Sequence, residues 1–178
     1  MVELILSGRT EAFEPLVTPY RKLLLTIAYR LSRNSEEAKE ISQETLLRAF
    51  HYLRSFDRKR SFKNWLLQIE MNIWRSSRKK DADEKTLKEL ADFERQENPE
   101  AGQAGDELRR QILSCLDGLS PKEKEVFLLR DIEDMSIEET AQILRTSAIS
   151  IRVHLSRARQ KIRECVKERY PELLGGRP

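Results

Sequence analysis

Ser136-Ile137-Glu138-Glu139-Thr140-Ala141-Gln142-Ile143-Leu144-Arg145-Thr146-Ser147, continuing through Ala148-Ile149-Ser150-Ile151-Arg152-Val153-His154-Leu155-Ser156-Arg157-Ala158-Arg159, is the stretch whose reading decides the fold. Ser136 and Glu139 stand at capping-box spacing, in which the hydroxyl accepts a free helix N–H and the carboxylate reaches back to the Ser N–H. They open a short helix predicted to end near Arg145. Thr146-Ser147 is a tight turn, and Ser147 caps a long last helix that stops before Pro171. Two helices joined by a tight turn, the second one basic, match a helix-turn-helix. Upstream, Ser120-Pro121-Lys122-Glu123 supplies a second capping Ser, with Pro at the first helical position and Glu at the third. A further helix is expected over about Asp106 to Leu116.

At about 100° per residue, Ile151, Leu155, Ala158 and Ile162 share one stripe of the last helix, which should face a core. Ile149, Arg152, Val153, Ser156, Arg157 and Gln160 lie on the other side. Ile149 and Val153 are thus two aliphatic side chains four apart on an outward face flanked by arginines. A major-groove reader wants that mixture. Arg pairs with guanine O6/N7 or a phosphate, and aliphatic groups pack on thymine methyls.

Working toward the N-terminus, the segment from Asp92 to Asp106 holds Glu94, Glu97, Asn98, Pro99, Gly102 and Gly105, with Phe93 its one large apolar residue. Such a composition buries too little surface to offset ordering entropy. The chain is therefore divided into an N-terminal helical domain (1–80), a flexible acidic linker (81–106) and a C-terminal helix-turn-helix domain (107–178), with residues 81–93 weakly extending the preceding helix. Three main helices are expected before the linker. The first starts firmly near Pro19, because Pro15 and Pro19 delay it, and carries Leu23, Leu24, Ile27, Ala28 and Leu31. The second starts at Asn34, with Glu37 in a capping-box-like position, and reaches about Ser55. Its inward stripe reads Ile41, Thr45, Ala49, Tyr52 and Phe56, broadened by Leu46, Phe50 and Leu53. The third is capped by Ser61 and repeats Phe62, Trp65, Leu66, Ile69 and Ile73 at helical spacing. That places Trp65 in the core and leaves Trp74 open. The outer face of the second helix bears Glu36, Glu40, Gln43, Glu44 and His51 around Leu47, an acidic ridge with an apolar centre. Such a ridge repels DNA and suits a protein groove that is basic and partly apolar.

Composition supports an all-α chain and narrows its partners. In 178 residues, six glycines and six prolines are few, and sheet-forming β-branched runs are absent. Lys and Arg number 33 against 30 acidic residues, yet the balance is uneven: net +7 over residues 1–80, −7 over 81–108 and +3 over 109–178. Arg54 to Lys80 holds nine basic residues against Asp57 and Glu70, and Arg145 to Arg163 holds six with no acid. Two basic blocks around an acidic spacer suggest two contacts on one polyanion. No apolar stretch reaches the roughly 18 residues of a membrane span, and no export signal is visible at Met1 to Arg9, so a cytoplasmic location without membrane insertion is expected. Cys115 and Cys165 allow one disulfide, but in a cytosolic chain they are read as reduced core thiols. His51 and His154 lack metal-ligand neighbours, and no phosphate loop or nucleophile motif occurs. No metal, cofactor or catalytic residue is expected.

Over nearly its whole length the chain resembles bacterial sigma factors of the extracytoplasmic-function subgroup of the sigma-70 family. Glu37-Ala38-Lys39-Glu40-Ile41-Ser42-Gln43-Glu44-Thr45-Leu46-Leu47-Arg48-Ala49-Phe50 looks like their second conserved region. Phe62 through Asn72 is similar to their promoter-melting and −10-reading segments. Leu119 through Arg130, Ser136 to Ala141 and Leu155 to Arg159 resemble the −35-reading domain. The resemblance implies an initiation subunit that binds core RNA polymerase at the β′ clamp helices and the β flap, reads both promoter elements, helps melt DNA and is held by an anti-sigma factor. Carried over by position, Glu40, Gln43, Glu44 and Leu47 would dock on polymerase. Phe56, Arg58, Lys59, Arg60, Ile69 and Asn72 would capture an extruded −10 base, which needs an apolar wall, amide hydrogen bonds and backbone cations. Ser147, Ile149, Arg152, Val153, Ser156, Arg157 and Arg159 would meet the −35 duplex. Three positions depart from the pattern: Arg145 and Ile149 where Gly is frequent, and Glu40 where Asp is common. Arg145 must adopt an uncommon backbone conformation or shift the turn. The alternative, a stand-alone helix-turn-helix regulator, explains residues 107–170 but neither the ridge nor the −10-like block. A purely protein-binding adaptor leaves the two basic blocks unexplained.

Overall fold

The structure, a computed structural model, describes residues 1–78 and 111–171. These stretches belong to two compact helical units, and no strand occurs among the described residues. The proposed linker, the weak extension over 81–93 and the start of the helix expected from Asp106 lie outside the described residues.

The first unit holds α1 (Val2–Leu6), α2 (Phe13–Ser32), α3 (Ser35–His51) and α4 (Phe62–Ser77). Helices α2, α3 and α4 pack on one another around Leu24, Ile27, Ile41, Leu66, Leu67 and Met71. Burying each such side chain contributes about 1.5–3 kcal/mol. Helix α2 starts at Phe13, earlier than expected from its prolines. Pro15 falls in the first turn, where a missing N–H costs nothing, and Pro19 is accommodated inside the helix. At the start of α3, Asn34 Oδ1 accepts the N–H groups of Glu36 and Glu37, at 2.9 and 3.0 Å. The Asn34 N–H donates to Ser32 Oγ, and the Glu37 carboxylate accepts the Ser77 hydroxyl of α4 at 3.2 Å.

Helix α3 ends at His51 rather than Ser55, and Leu53–Ser55 tightens into a 3-10 turn. That early end redirects the side chains that follow, leaving Tyr52 exposed. Phe50, still within α3, is on the surface against Phe13, with ring centroids 5.1 Å apart. The expected inward stripe thus keeps Ile41, Thr45, Leu46, Ala49 and Leu53 but loses Tyr52 and Phe50. The two tryptophans also resolve differently from the sequence reading. Trp74 is fully buried, whereas Trp65 is half-buried in an aromatic cluster with Phe56 and Phe62. Helix α4 faces both α2 and α3, so its buried side runs Leu66, Leu67, Glu70, Met71, Ile73 and Trp74. Glu70, a buried carboxylate on that side, hid it from a purely apolar pattern.

The described part of the second unit opens with helical residues 111–114 and a 3-10 turn, Cys115–Gly118. Then come α5 (Pro121–Phe127), a π turn (Leu128–Ile132), α6 (Ile137–Leu144) and α7 (Ala148–Arg169). Both capping boxes form, at Ser120/Glu123 and Ser136/Glu139. Ile151, Leu155, Ala158 and Ile162 are all buried, joined by Val166. Cys115 and Cys165 are bonded to each other, which corrects the reading of two reduced thiols. The 3-10 turn packs on α7 and brings their Cα atoms to 5.9 Å, within bridging range. No spacing rule reveals a partner 50 residues away.

Candidate promoter and polymerase interfaces

The helix-turn-helix is built around one unusual backbone residue. Arg145 takes φ 51° and ψ 52°, the left-handed region, directly after α6. The Thr146 N–H then donates to Ala141 O at 3.0 Å and the Arg145 N–H to Gln142 O at 3.3 Å, closing the helix end as a Schellman motif. The turn therefore keeps its register without Gly. Ser147 Oγ accepts the Ser150 N–H at 3.1 Å and fixes the first turn of α7. Ile149 is 72% exposed and Val153 43%, on one face. Arg152, Ser156 and Arg157 are exposed beside them. Six of the seven residues assigned to −35 contact thus lie at the surface of one helix and its cap.

Arg159 is different. Its Nε and Nη2 donate to the two oxygens of Asp131 at 2.8 and 2.5 Å. That hydrogen bonding holds the guanidinium more firmly protonated than usual, against its partial desolvation. Behind the reading face, Lys161 of α7 pairs with Glu123 at 2.8 Å, tying α7 to the capping box of α5. Burial pushes the Glu123 carboxyl up, but hydrogen bonds from Lys161 and Ser120 outweigh it, so the group sits below its ordinary range.

In the first unit, Glu40 and Gln43 are exposed, and Leu47 stands 57% exposed among them. Their spacing of three and four residues puts them on one face of α3. Glu44 is half-buried, with its carboxylate bonded to Arg48 Nε at 2.6 Å, so the ridge is less acidic than a residue count suggests. The sequence reading missed this pair, although its i,i+4 spacing is the signal that could have found it.

The −10 group falls into two sets. Phe56 stacks in the half-buried cluster, with ring centroids 5.2 Å from Phe62 and 5.0 Å from Trp65, and Tyr20 lies 5.7 Å from Phe62. Trp65, half-buried Ile69 and exposed Asn72 follow at i, i+4 and i+7 along α4. An apolar wall and an amide are thereby placed along one side of a helix. The cations sit on the loop before it. Arg58 pairs with Glu3 of α1, Arg60 lies 3.7 Å from Asp57, and the Lys59 N–H donates to Asp57 Oδ1 at 3.0 Å. Trp65 and Phe62 are members of this aromatic group that the core assignment overlooked.

Two helical units, one carrying a basic helix-turn-helix and the other an aromatic loop and an acidic ridge, have the make-up of a DNA-binding protein. Family comparison matches residues 16–83 to sigma-70 region 2 and residues 109–162 to sigma-70 region 4. The chain is 27% identical over 178 residues to the ECF RNA polymerase sigma factor SigW of Bacillus subtilis, covering 94% of this chain and 95% of that one. It is 26% identical over 174 residues to RNA polymerase sigma-H factor of Pseudomonas aeruginosa, covering 91% and 90%. The sigma factor RpoE of Bartonella quintana, solved with the anti-sigma factor NepR, shares the fold at a TM-score of 0.71 and 24% identity, over 88% of this chain and 98% of that one. The chain belongs to the extracytoplasmic-function group of the sigma-70 family and is a promoter-recognising RNA polymerase sigma factor. Sigma factors are not catalytic enzymes. No helix among the described residues is long and apolar enough to cross a membrane.

Proposed function

We propose that this sigma factor docks on core polymerase through Glu40, Gln43, Glu44 and Leu47 of α3, with the β′ clamp helices as the receiving surface and the β flap engaging the C-terminal unit. The supporting observation is Leu47, an aliphatic side chain left open to solvent among Glu40 and Gln43 on a helix whose opposite side is fully packed. On melted promoter DNA, Phe56 with its aromatic neighbours walls an extruded −10 base, Ile69 lines it, Asn72 hydrogen-bonds its edge, and Arg58, Lys59 and Arg60 meet the backbone. On duplex DNA, α7 enters the −35 major groove with Ile149 and Val153 toward base edges, Arg152, Ser156 and Arg157 at its sides and Ser147 at the phosphate end. Residues 81–106 span the two contacts as a linker. The chain works in the cytoplasm, uses no cofactor or metal of its own, and leaves phosphodiester chemistry to the polymerase. An anti-sigma factor is the regulating partner, by analogy with the RpoE–NepR complex.

The ridge is the point at which this reading parts from a stand-alone regulator. The double change Glu40→Lys and Glu44→Lys, or Leu47→Asp alone, is expected to lower affinity for core polymerase at least tenfold with unchanged circular dichroism. Unchanged affinity in a well-folded variant assigns that face to something else.

A further inference from the structure

Arg159 follows Arg152 by seven residues, so the two differ by only about 20° around α7 and lie about 10 Å apart along it. On the sequence they form one cationic stripe, and both would be counted as DNA contacts. The structure separates them. Arg152 is exposed, whereas Arg159 is engaged by both oxygens of Asp131, which lies in the π turn Leu128–Ile132 ahead of the helix-turn-helix. Asp131 reaches the surface through its backbone, but its side chain is only 19% exposed. Arg159 is itself 52% exposed, so what holds it is the fork: drawing it away to a phosphate would break two charge-assisted hydrogen bonds and leave the carboxylate unpaired beside a polyanion. The fork geometry of guanidinium against carboxylate also fixes the azimuth of α7 relative to the π turn, which a single contact does not.

We propose that Asp131 is a positioning residue for −35 recognition: it holds Arg159 against the body of the C-terminal unit, withholds that charge from the DNA and sets the rotation at which α7 presents Arg152, Val153 and Arg157. The proposal rests on the reading that α7 enters the −35 groove, and it adds a residue that no motif pointed to. It also reverses the simplest expectation for Arg159, a general phosphate contact.

The test is the salt dependence of promoter binding by the holoenzyme, because each neutralised phosphate adds about 0.9 to the slope of log K against log salt. A variant that merely destabilises the domain weakens binding at every salt concentration and leaves the slope alone. Arg159→Ala should keep the wild-type slope. Asp131→Asn should steepen it by about 0.9, an additional loss of about threefold across a fourfold rise in salt. Asp131→Glu should behave as wild type, and combining Asp131→Asn with Arg159→Ala should restore the wild-type slope. The −35 sequence selected from a random library should broaden for Asp131→Asn. A shallower slope for Arg159→Ala alone overturns the proposal, and so does a wild-type slope for Asp131→Asn or a steep slope that persists in the double variant. If Asp131→Asn does not fold, the Arg159→Ala arm still decides. Failure of the wild-type holoenzyme to select any −35 sequence would instead reject the underlying assignment of α7.

Discussion

Arg145 shows how far single residues were legible. Its place after Leu144, where the family pattern often has Gly, implies either a left-handed residue or a shifted turn, and the left-handed residue is present. A non-Gly side chain there costs roughly 1–2 kcal/mol. Arg145→Gly is therefore expected to raise the stability of the C-terminal unit by about 1 kcal/mol, seen as a higher Tm with −35 selection unchanged. A lower Tm would mean that the arginine side chain stabilises the turn by more than its backbone costs. Other residues were read less well. The repeat of Trp65 with Leu66 and Ile69 points to the core, but apolar periodicity cannot tell a core stripe from an aromatic cluster at its margin. Glu70 compounded the error, since a buried carboxylate marks the wrong side of α4 as polar.

At the scale of elements, capping chemistry was the dependable signal. Ser61, Ser120, Ser136 and Ser147 each cap the helix expected of them, because an N-cap is a local event settled within four residues. Helix ends were harder. Nothing between His51 and Ser55 signals a stop, and the 3-10 turn there follows from how the loop packs, with α1 against Leu53–Ser55. The consequence falls on the loop proposed to capture the −10 base, whose Phe56 sits against Trp65 and Phe62. Phe56→Ala or Asn72→Ala is expected to impair open-complex formation on linear duplex promoters. The defect should shrink on a template pre-melted outside the captured −10 base and persist for that base, where the lost stacking is worth about 1–3 kcal/mol. Permanganate footprints showing normal melting in both variants would exclude the assignment.

For the molecule as a whole, composition and motif order made two helical units and their family legible. The Cys115–Cys165 bond was not legible, because pairing across 50 residues depends on tertiary packing. Closing a loop of that size typically contributes about 2–4 kcal/mol. Reductant should thus lower the melting temperature of the C-terminal unit in the full chain, and the variant Cys115→Ala/Cys165→Ala should melt at the reduced value with and without reductant. Identical melting of wild type in both conditions would show that the thiols are not joined in solution.

Charge distribution leads to the most direct test of the central claim, that promoter reading by this chain requires polymerase. The acidic stretch 81–108, net −7, opposes the +7 and +3 blocks on either side, so the free chain carries little net attraction for DNA. The measurement is a gel shift of promoter DNA against the full chain, with and without core enzyme, at one fixed salt concentration. Strong specific binding is expected only with core enzyme, the free chain showing weak binding that does not distinguish promoter from random DNA. Equal specific affinity in both conditions would contradict the account and identify a regulator that reads duplex DNA unaided.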